Sequence, residues 1–212
     1  MTFKYVCDCK KNNFLNKDFS YWENRNTTSD ENDIINYVNN LDINYDSLLH
    51  IGIGNSDFAN YFCKKGNITG ITISKKEILK AKSLNLVNYE VLLCDKYSLE
   101  FNDILQKKRF DLILDTNLKS YSCCHKSFLF FMKNLASLLK KGGKIITSRK
   151  GMSWYKNLKP KLSFNFKDFF YYKLKEKEGN KKNIFTLDEA NKLADSLSLE
   201  VISNKNILTF NK

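Results

Sequence analysis

Proline occurs once in the 212 residues and glycine only eight times. That scarcity excludes collagen-like repeats and Pro-rich linker material, which need those residues in bulk. No window reaches the roughly 18 uncharged apolar residues that a bilayer-spanning helix requires. The most apolar stretch, Ser127–Leu139, is broken by Lys133 and Asn134 and reads as a core helix. The opening Met-Thr-Phe-Lys-Tyr-Val-Cys-Asp-Cys-Lys-Lys has no continuous apolar run and no small-residue cleavage site, so no secretory signal and a cytoplasmic location are expected. The cysteines, at 7, 9, 63, 94, 123 and 124, include no Cys-x-x-Cys pair. Reduced thiols, mostly buried as small apolar side chains, fit that compartment. No metal site is expected, because neighbours in Cys123-Cys124-His125 point in different directions from a helix or strand and should not all reach one ion.

What the chain does have is material for a core: 42% of residues are aliphatic or aromatic and 27% charged, too apolar for a disordered tail. The length suits one domain spanning residues 1–212. Lysine and arginine outnumber aspartate and glutamate 35 to 23, a net charge of +12 that could draw a polyanion. Lysine is also abundant alongside asparagine and isoleucine, all encoded by A/T-rich codons. The basic runs at 10–11, 64–65, 107–109 and 181–182 are short and scattered, so a solvated surface is favoured over a nucleic-acid patch.

Residues 1–32 form a lead segment without firm periodicity. Apolar positions from Asp33 to Leu41 recur at helical spacing. Ser47–Gly54 is a short apolar run ending in glycines, as expected of a strand buried on both faces. A helix over Ser56–Lys65, a strand at Ile68–Ile73 and a helix opened by Ser74-Lys-Lys-Glu77 follow. That tetrapeptide has capping-box form. Strands are predicted at Tyr89–Cys94 and Phe110–Leu114, a helix from Lys126 to Lys140 ending at Gly142-Gly143, and a strand at Lys144–Ser148. The aromatic, basic stretch 149–183 lacks a clean period and reads as an insertion or lid. Thr186-Leu-Asp-Glu189 caps another helix, and Leu199–Ser203 and Ile207–Phe210 are strands whose three-residue link forces an antiparallel pair. The alternation describes an α/β fold: a Rossmann-like, doubly wound, seven-stranded sheet, mostly parallel with an antiparallel last strand.

In such a sheet, ligands bind beyond the carboxyl ends of the strands, where strand order reverses. The candidates there are Gly52, Gly54, Asn55 and Ser56 after the first strand, Thr72 and Ser74 after the second, Asp95 after the third, and Asp115–Asn117 after the fourth. The glycines let backbone approach a ligand with no Cβ in the way. A dinucleotide fingerprint would want a third glycine where Asp57 stands and a ribose acid where Thr72 stands, so a nicotinamide enzyme is poorly supported. No Gly-Lys-Ser or Gly-Lys-Thr marks an NTPase loop. His50, inside an apolar strand, reads as core.

Together these stretches resemble the class I S-adenosylmethionine-dependent methyltransferases. Leu48-Leu-His-Ile-Gly-Ile-Gly-Asn-Ser56 is similar to their first motif, Thr69-Gly-Ile-Thr-Ile-Ser74 to the second, Leu92-Leu-Cys-Asp95 to the adenine-contacting third, and Phe110-Asp-Leu-Ile-Leu-Asp115 to the fourth. Leu138-Leu-Lys-Lys-Gly-Gly-Lys-Ile-Ile-Thr147 resembles the entry to their fifth strand. The resemblance implies S-adenosylmethionine as cofactor, with Gly52 and Gly54 passing its methionine part and Asp95 accepting from the adenine amino group. Most members end the second strand in an acid that takes both ribose hydroxyls. Here Thr72 stands instead, as in the Gly-Ile-Thr-Leu-Ser form of cyclopropane synthase relatives, and a neutral hydroxyl makes a weaker bond.

Methyl transfer mainly asks the protein to align an acceptor with an already activated sulfonium. A base helps where the acceptor is a hydroxyl, and Asp115, Tyr121 and His125 follow the fourth strand. Asp115-Thr-Asn-Leu118 is unlike the Asn-Pro-Pro-Tyr loop that grips a flipped base, and Thr147-Ser-Arg-Lys150 lacks the acids of the metal-dependent catechol type. The expectation is a methyltransferase for a small molecule, such as a sugar or other metabolite hydroxyl. The rivals are a catalytically silent domain of this fold and, third, an RNA methyltransferase.

Overall fold

The computed structural model describes residues 3–9, 22–41, 43–105, 108–120, 122–149 and 185–212. The expected lid at 149–183, Arg149 apart, lies outside them, as does Tyr21. The order is α1 (Ser29–Asn40), β1 (Ser47–Ile51), α2 (Asp57–Phe62), β2 (Asn67–Thr72), α3 (Lys75–Ser83), β3 (Tyr89–Leu93), α4 (Glu100–Leu105), β4 (Phe110–Leu114), α5 (His125–Leu138), β5 (Leu139–Ser148), α6 (Leu187–Leu197), β6 (Glu200–Asn204) and β7 (Ile207–Asn211). The seven strands form one sheet in the order β3-β2-β1-β4-β5-β7-β6. β1 to β5 pair in parallel, and β7 runs antiparallel to both β5 and β6.

The continuous apolar runs are explained by two cores, one on each face of the sheet. Successive strand residues point to opposite faces, so Leu48, Leu112 and Ile146 join Ile34, Val38, Phe58 and Phe62 of α1 and α2. Their neighbours Leu49, Ile113 and Ile145 join Phe131, Leu135, Leu193 and Phe210 on the other face. His50 follows this rule: it is buried in β1, its ring centroid 4.6 Å from that of Phe58. Burial holds its pKa down at about 4, so the imidazole is neutral at neutral pH.

Several elements differ from expectation. α1 starts four residues before Asp33, because Thr28 accepts from the Glu31 amide while the Glu31 carboxylate accepts from Thr28, a full capping box. α4 is a short added helix whose Phe101 and Leu105 are buried. α5 ends at Leu138 rather than Lys140, since Leu139 is already extended and pairs with Phe110. Gly142 (φ +76) therefore lies within β5, beside a register irregularity, and does not stop the helix.

Candidate cofactor and active site

The loops after β1, β2, β3 and β4 leave the same edge of the sheet, and strand order reverses between β1 and β4. After β1 the backbone turns left-handed at Gly52 (φ +74), Gly54 (φ +51) and Ser56 (φ +67). A side chain added at Gly52 would meet no atom of the described residues within 4 Å, so among them this glycine borders open space. At Gly54 a Cβ would stand 2.9 Å from Nη2 of Arg25, which the lead segment carries onto the loop. Arg25 is held there by both carboxylate oxygens of Glu31, at 2.5 and 2.6 Å. Burial alone would raise the Glu31 pKa, but the Arg25 bonds outweigh it and hold the acid below its usual value.

The capping box expected at Ser74–Glu77 forms only by half. Ser74 Oγ accepts from the Glu77 amide, but the Glu77 carboxylate does not return to Ser74. It turns across the edge instead: Oε2 accepts from the Thr72 hydroxyl at 2.6 Å and from the Gly54 amide at 3.1 Å. Thr72 Oγ1 in turn accepts from Ser74 N. A buried carboxylate thus stands beside the end of β2, supplied from five residues downstream of Thr72. Burial raises its pKa, and the bonds from Thr72 and Gly54 offset only part of that. Sequence reading assigned Glu77 to its own helix; the spacing Thr72-x-x-x-x-Glu77 was the available signal.

Asp95 is buried after β3. Oδ1 accepts from Tyr97 N at 2.9 Å and Oδ2 from the Tyr5 hydroxyl at 3.0 Å. Asp115, buried after β4, accepts from Asn117 N at 2.9 Å and forms an ion pair with Lys96 Nζ at 2.7 Å. With each oxygen engaged, Asp115 serves first to shape its turn and anchor Lys96. His125 is exposed as the first residue of α5, and Tyr121 lies outside the described residues.

Asn55 and Ser56 are tied into the protein. Asn55 bonds to Arg25 O, Asp57 Oδ2 and Asp57 N, and Ser56 Oγ bonds to Tyr89 at 3.0 Å. α2 spans six residues, and Ser56 makes no side-chain cap bond to it. These residues hold the β1–α2 loop in shape. Arg25 and Lys96 were not anticipated, because their positions depend on segments distant in sequence.

The edge thus presents open backbone at Gly52, a buried carboxylate near the end of β2 and another after β3. That set fits an adenosyl group: carboxylates accept from hydroxyls and amino groups, and the bare glycine leaves room for a chain to pass. Residues 49–147 match the family model described as a methyltransferase domain. The stretch from β1 to β5 is thus similar to methyltransferase domains, and the sheet has the fold of the class I methyltransferases. No curated protein sequence matches the chain.

Solved structures share the methyltransferase fold at low identity. The N-methyltransferase NodS from Bradyrhizobium japonicum WM9, in complex with S-adenosylhomocysteine, superposes with a TM-score of 0.59 at 12% identity, covering 93% of this chain and 94% of its own. CalS10, an amino pentose methyltransferase from Micromonospora echinaspora solved with the cofactor bound, gives 0.56 at 9%, covering 85% and 89%. A putative caffeoyl-CoA O-methyltransferase from Staphylococcus aureus gives 0.56 at 16%, covering 89% and 86%.

Proposed function

We propose that this protein transfers a methyl group from S-adenosylmethionine to a small-molecule acceptor, with the cofactor lying across the carboxyl ends of β1, β2 and β3. The observation that carries the reading is the Glu77 carboxylate, drawn off its own helix onto Thr72 and Gly54. There it supplies the negative charge that Thr72 lacks, and its Oε1 is the atom offered to the ribose hydroxyls. Asp95 accepts from the adenine amino group, while Tyr5 and Tyr97 N fix its carboxylate. Gly52 leaves the space through which the methionine part passes. When bound, the cofactor supplies an electrophilic methyl on a sulfonium, so the chain's task is chiefly alignment and exclusion of water.

In this reading the acceptor lies beside the loop after β4. Among the described residues, Asn117 Oδ1 and Ser120 Oγ are buried there with no hydrogen-bond partner, so polar bonding capacity is left over beside this loop. The small-molecule substrate of CalS10 supports this class, an amino or hydroxyl group on a sugar or similar metabolite. Because Asp115 is engaged by Lys96 and Asn117 N, a nucleophilic amine that needs little base assistance suits the site at least as well as a hydroxyl.

The silent alternative draws on Arg25, whose guanidinium lies against Gly54. Isothermal calorimetry with S-adenosylmethionine and S-adenosylhomocysteine separates the two. Saturable binding of both is the expected result, followed by consumption of the methyl donor in the presence of amino-sugar and polyol acceptors. No heat with either ligand at millimolar concentration would leave the silent reading.

A further inference from the structure

The described residues bring four cysteine sulfurs together where α5 begins. Cys7 and Cys9 come from the amino-terminal segment and Cys123 and Cys124 from the bend leading into the helix. Their Sγ atoms all lie within 4.8 Å of one another. Cys7 is 3.1 Å from Cys123 and 3.6 Å from Cys124, and Cys123 and Cys124 are 3.8 Å apart. Sulfurs at the corners of a tetrahedron with metal–sulfur bonds of about 2.3 Å stand about 3.8 Å from one another. A disulfide needs about 2.05 Å, and all four residues are free cysteines.

The sequence argument against a shared ion fails at this bend. Neighbours diverge within a helix or strand, but the chain passes from loop to helix here, with Cys124 fully extended (φ −163, ψ 170) as the N-cap of α5. The setting suits negative sulfur, because the first turn of the 14-residue helix contains no acidic residue and its dipole presents a positive end to Cys124.

We propose that Cys7, Cys9, Cys123 and Cys124 form a four-thiolate site for one zinc ion. Four soft sulfur donors in tetrahedral arrangement select zinc over the hard cations magnesium and calcium. Binding releases the thiol protons and requires no oxidant. A site closed by four protein ligands leaves no position for substrate, so its role is structural. It clamps residues 3–9 to α5. That segment also receives the Leu99 amide on Lys4 O at 2.8 Å, donates Lys4 N to Glu100, and sets the Tyr5 hydroxyl on Asp95. The zinc assignment does not depend on what Asp95 binds.

The test uses the full chain purified under reducing conditions with zinc supplied. Elemental analysis should find one zinc per chain, lost in Cys9→Ser and Cys124→Ser but kept in Cys63→Ser, a cysteine outside the cluster. Cobalt(II) added to the metal-stripped wild type should give thiolate-to-cobalt charge-transfer absorption and tetrahedral visible bands that plateau at one equivalent. This arm stands even if a serine variant fails to fold. Stripping the metal should remove hydrogen-exchange protection from the Leu99 amide while the Ile113 amide in β4 stays protected. A wild-type protein that takes up neither metal, a Cys7–Cys123 disulfide in its place, or zinc retained by both serine variants would overturn the proposal.

Discussion

Two buried titratable side chains pull stability in opposite directions with pH, and the sign of each follows from its surroundings. His50 loses its proton on folding because burial disfavours the imidazolium, lowering its pKa from 6.5 to about 4. Below pH 6.5 the unfolded chain takes up a proton that the fold refuses, so this contribution is full above 6.5 and lost as pH falls toward 4. The shift corresponds to ~3 kcal/mol across that window. His50→Leu should flatten the pH dependence of urea unfolding between pH 6.5 and 4; an unchanged slope would show that another group is responsible. Glu77 has the reverse sign. Its raised pKa means that the fold favours the protonated acid, so its contribution falls as pH rises above the ordinary carboxylate value. Holding the charged form at this buried position costs stability, which fits a ligand-binding role. Glu77→Gln should therefore leave the melting temperature at pH 7 unchanged or higher while weakening S-adenosylhomocysteine binding about 10- to 100-fold, the loss of one charge-assisted set of bonds. Lower stability with unaltered binding would make Glu77 a packing residue. Its residue type and spacing were visible in the sequence. The carboxylate's choice between its own helix and the Gly54 amide was not, because that choice is made by the folded β1 loop.

At the scale of elements, capping chemistry was readable in full at one of the two boxes sought and decisive where it was overlooked. The box at Thr186–Glu189 forms as its sequence suggests. Thr28-Ser-Asp-Glu31 has the same form, but apolar periodicity alone placed the helix start at Asp33, since Ser29 to Asn32 contribute no apolar side chain to that pattern. The missed turn matters because Glu31 both caps α1 and holds Arg25 on the Gly54 loop. Thr28→Ala should cost ~1 kcal/mol in chemical denaturation, the usual worth of an N-cap hydroxyl. Equal stability would mean that the Arg25–Glu31 pair secures the helix start by itself. The strands were legible for a different reason: a sheet covered on both faces needs apolar residues at consecutive positions, and Leu48-Leu49, Leu112-Ile113 and Ile145-Ile146 each divide between the two cores. The start of β5 was obscured because Gly142-Gly143 has the chemistry of a helix stop, yet here it accommodates a shift of register against β4.

At the scale of the whole molecule, topology puts two of the basic runs at the edge away from the site, while Lys75 and Lys76 open α3 on the site's side. Every parallel strand starts at one edge and delivers its carboxyl end to the other, where Gly52, Glu77, Asp95 and Asp115 gather. Lys64 and Lys65 immediately precede β2, and Lys108 and Arg109 immediately precede β4, so both of these runs sit at the amino edge, away from the site. Part of their charge is engaged locally, Lys65 with Asn39 and Lys108 with Glu90. This arrangement was beyond composition, which reports +12 without saying where it falls. It also separates a small-molecule enzyme from one that uses these lysines to hold a nucleic-acid substrate. The double charge reversal Lys64→Glu with Lys65→Glu should lower the salt needed to elute the protein from a polyanion column, as expected for any loss of positive surface. Calorimetric binding of S-adenosylhomocysteine and turnover of a small acceptor should stay the same. If instead RNA is methylated and that activity falls with the reversal, its salt dependence becoming shallower, the substrate is a polyanion gripped at the amino edge.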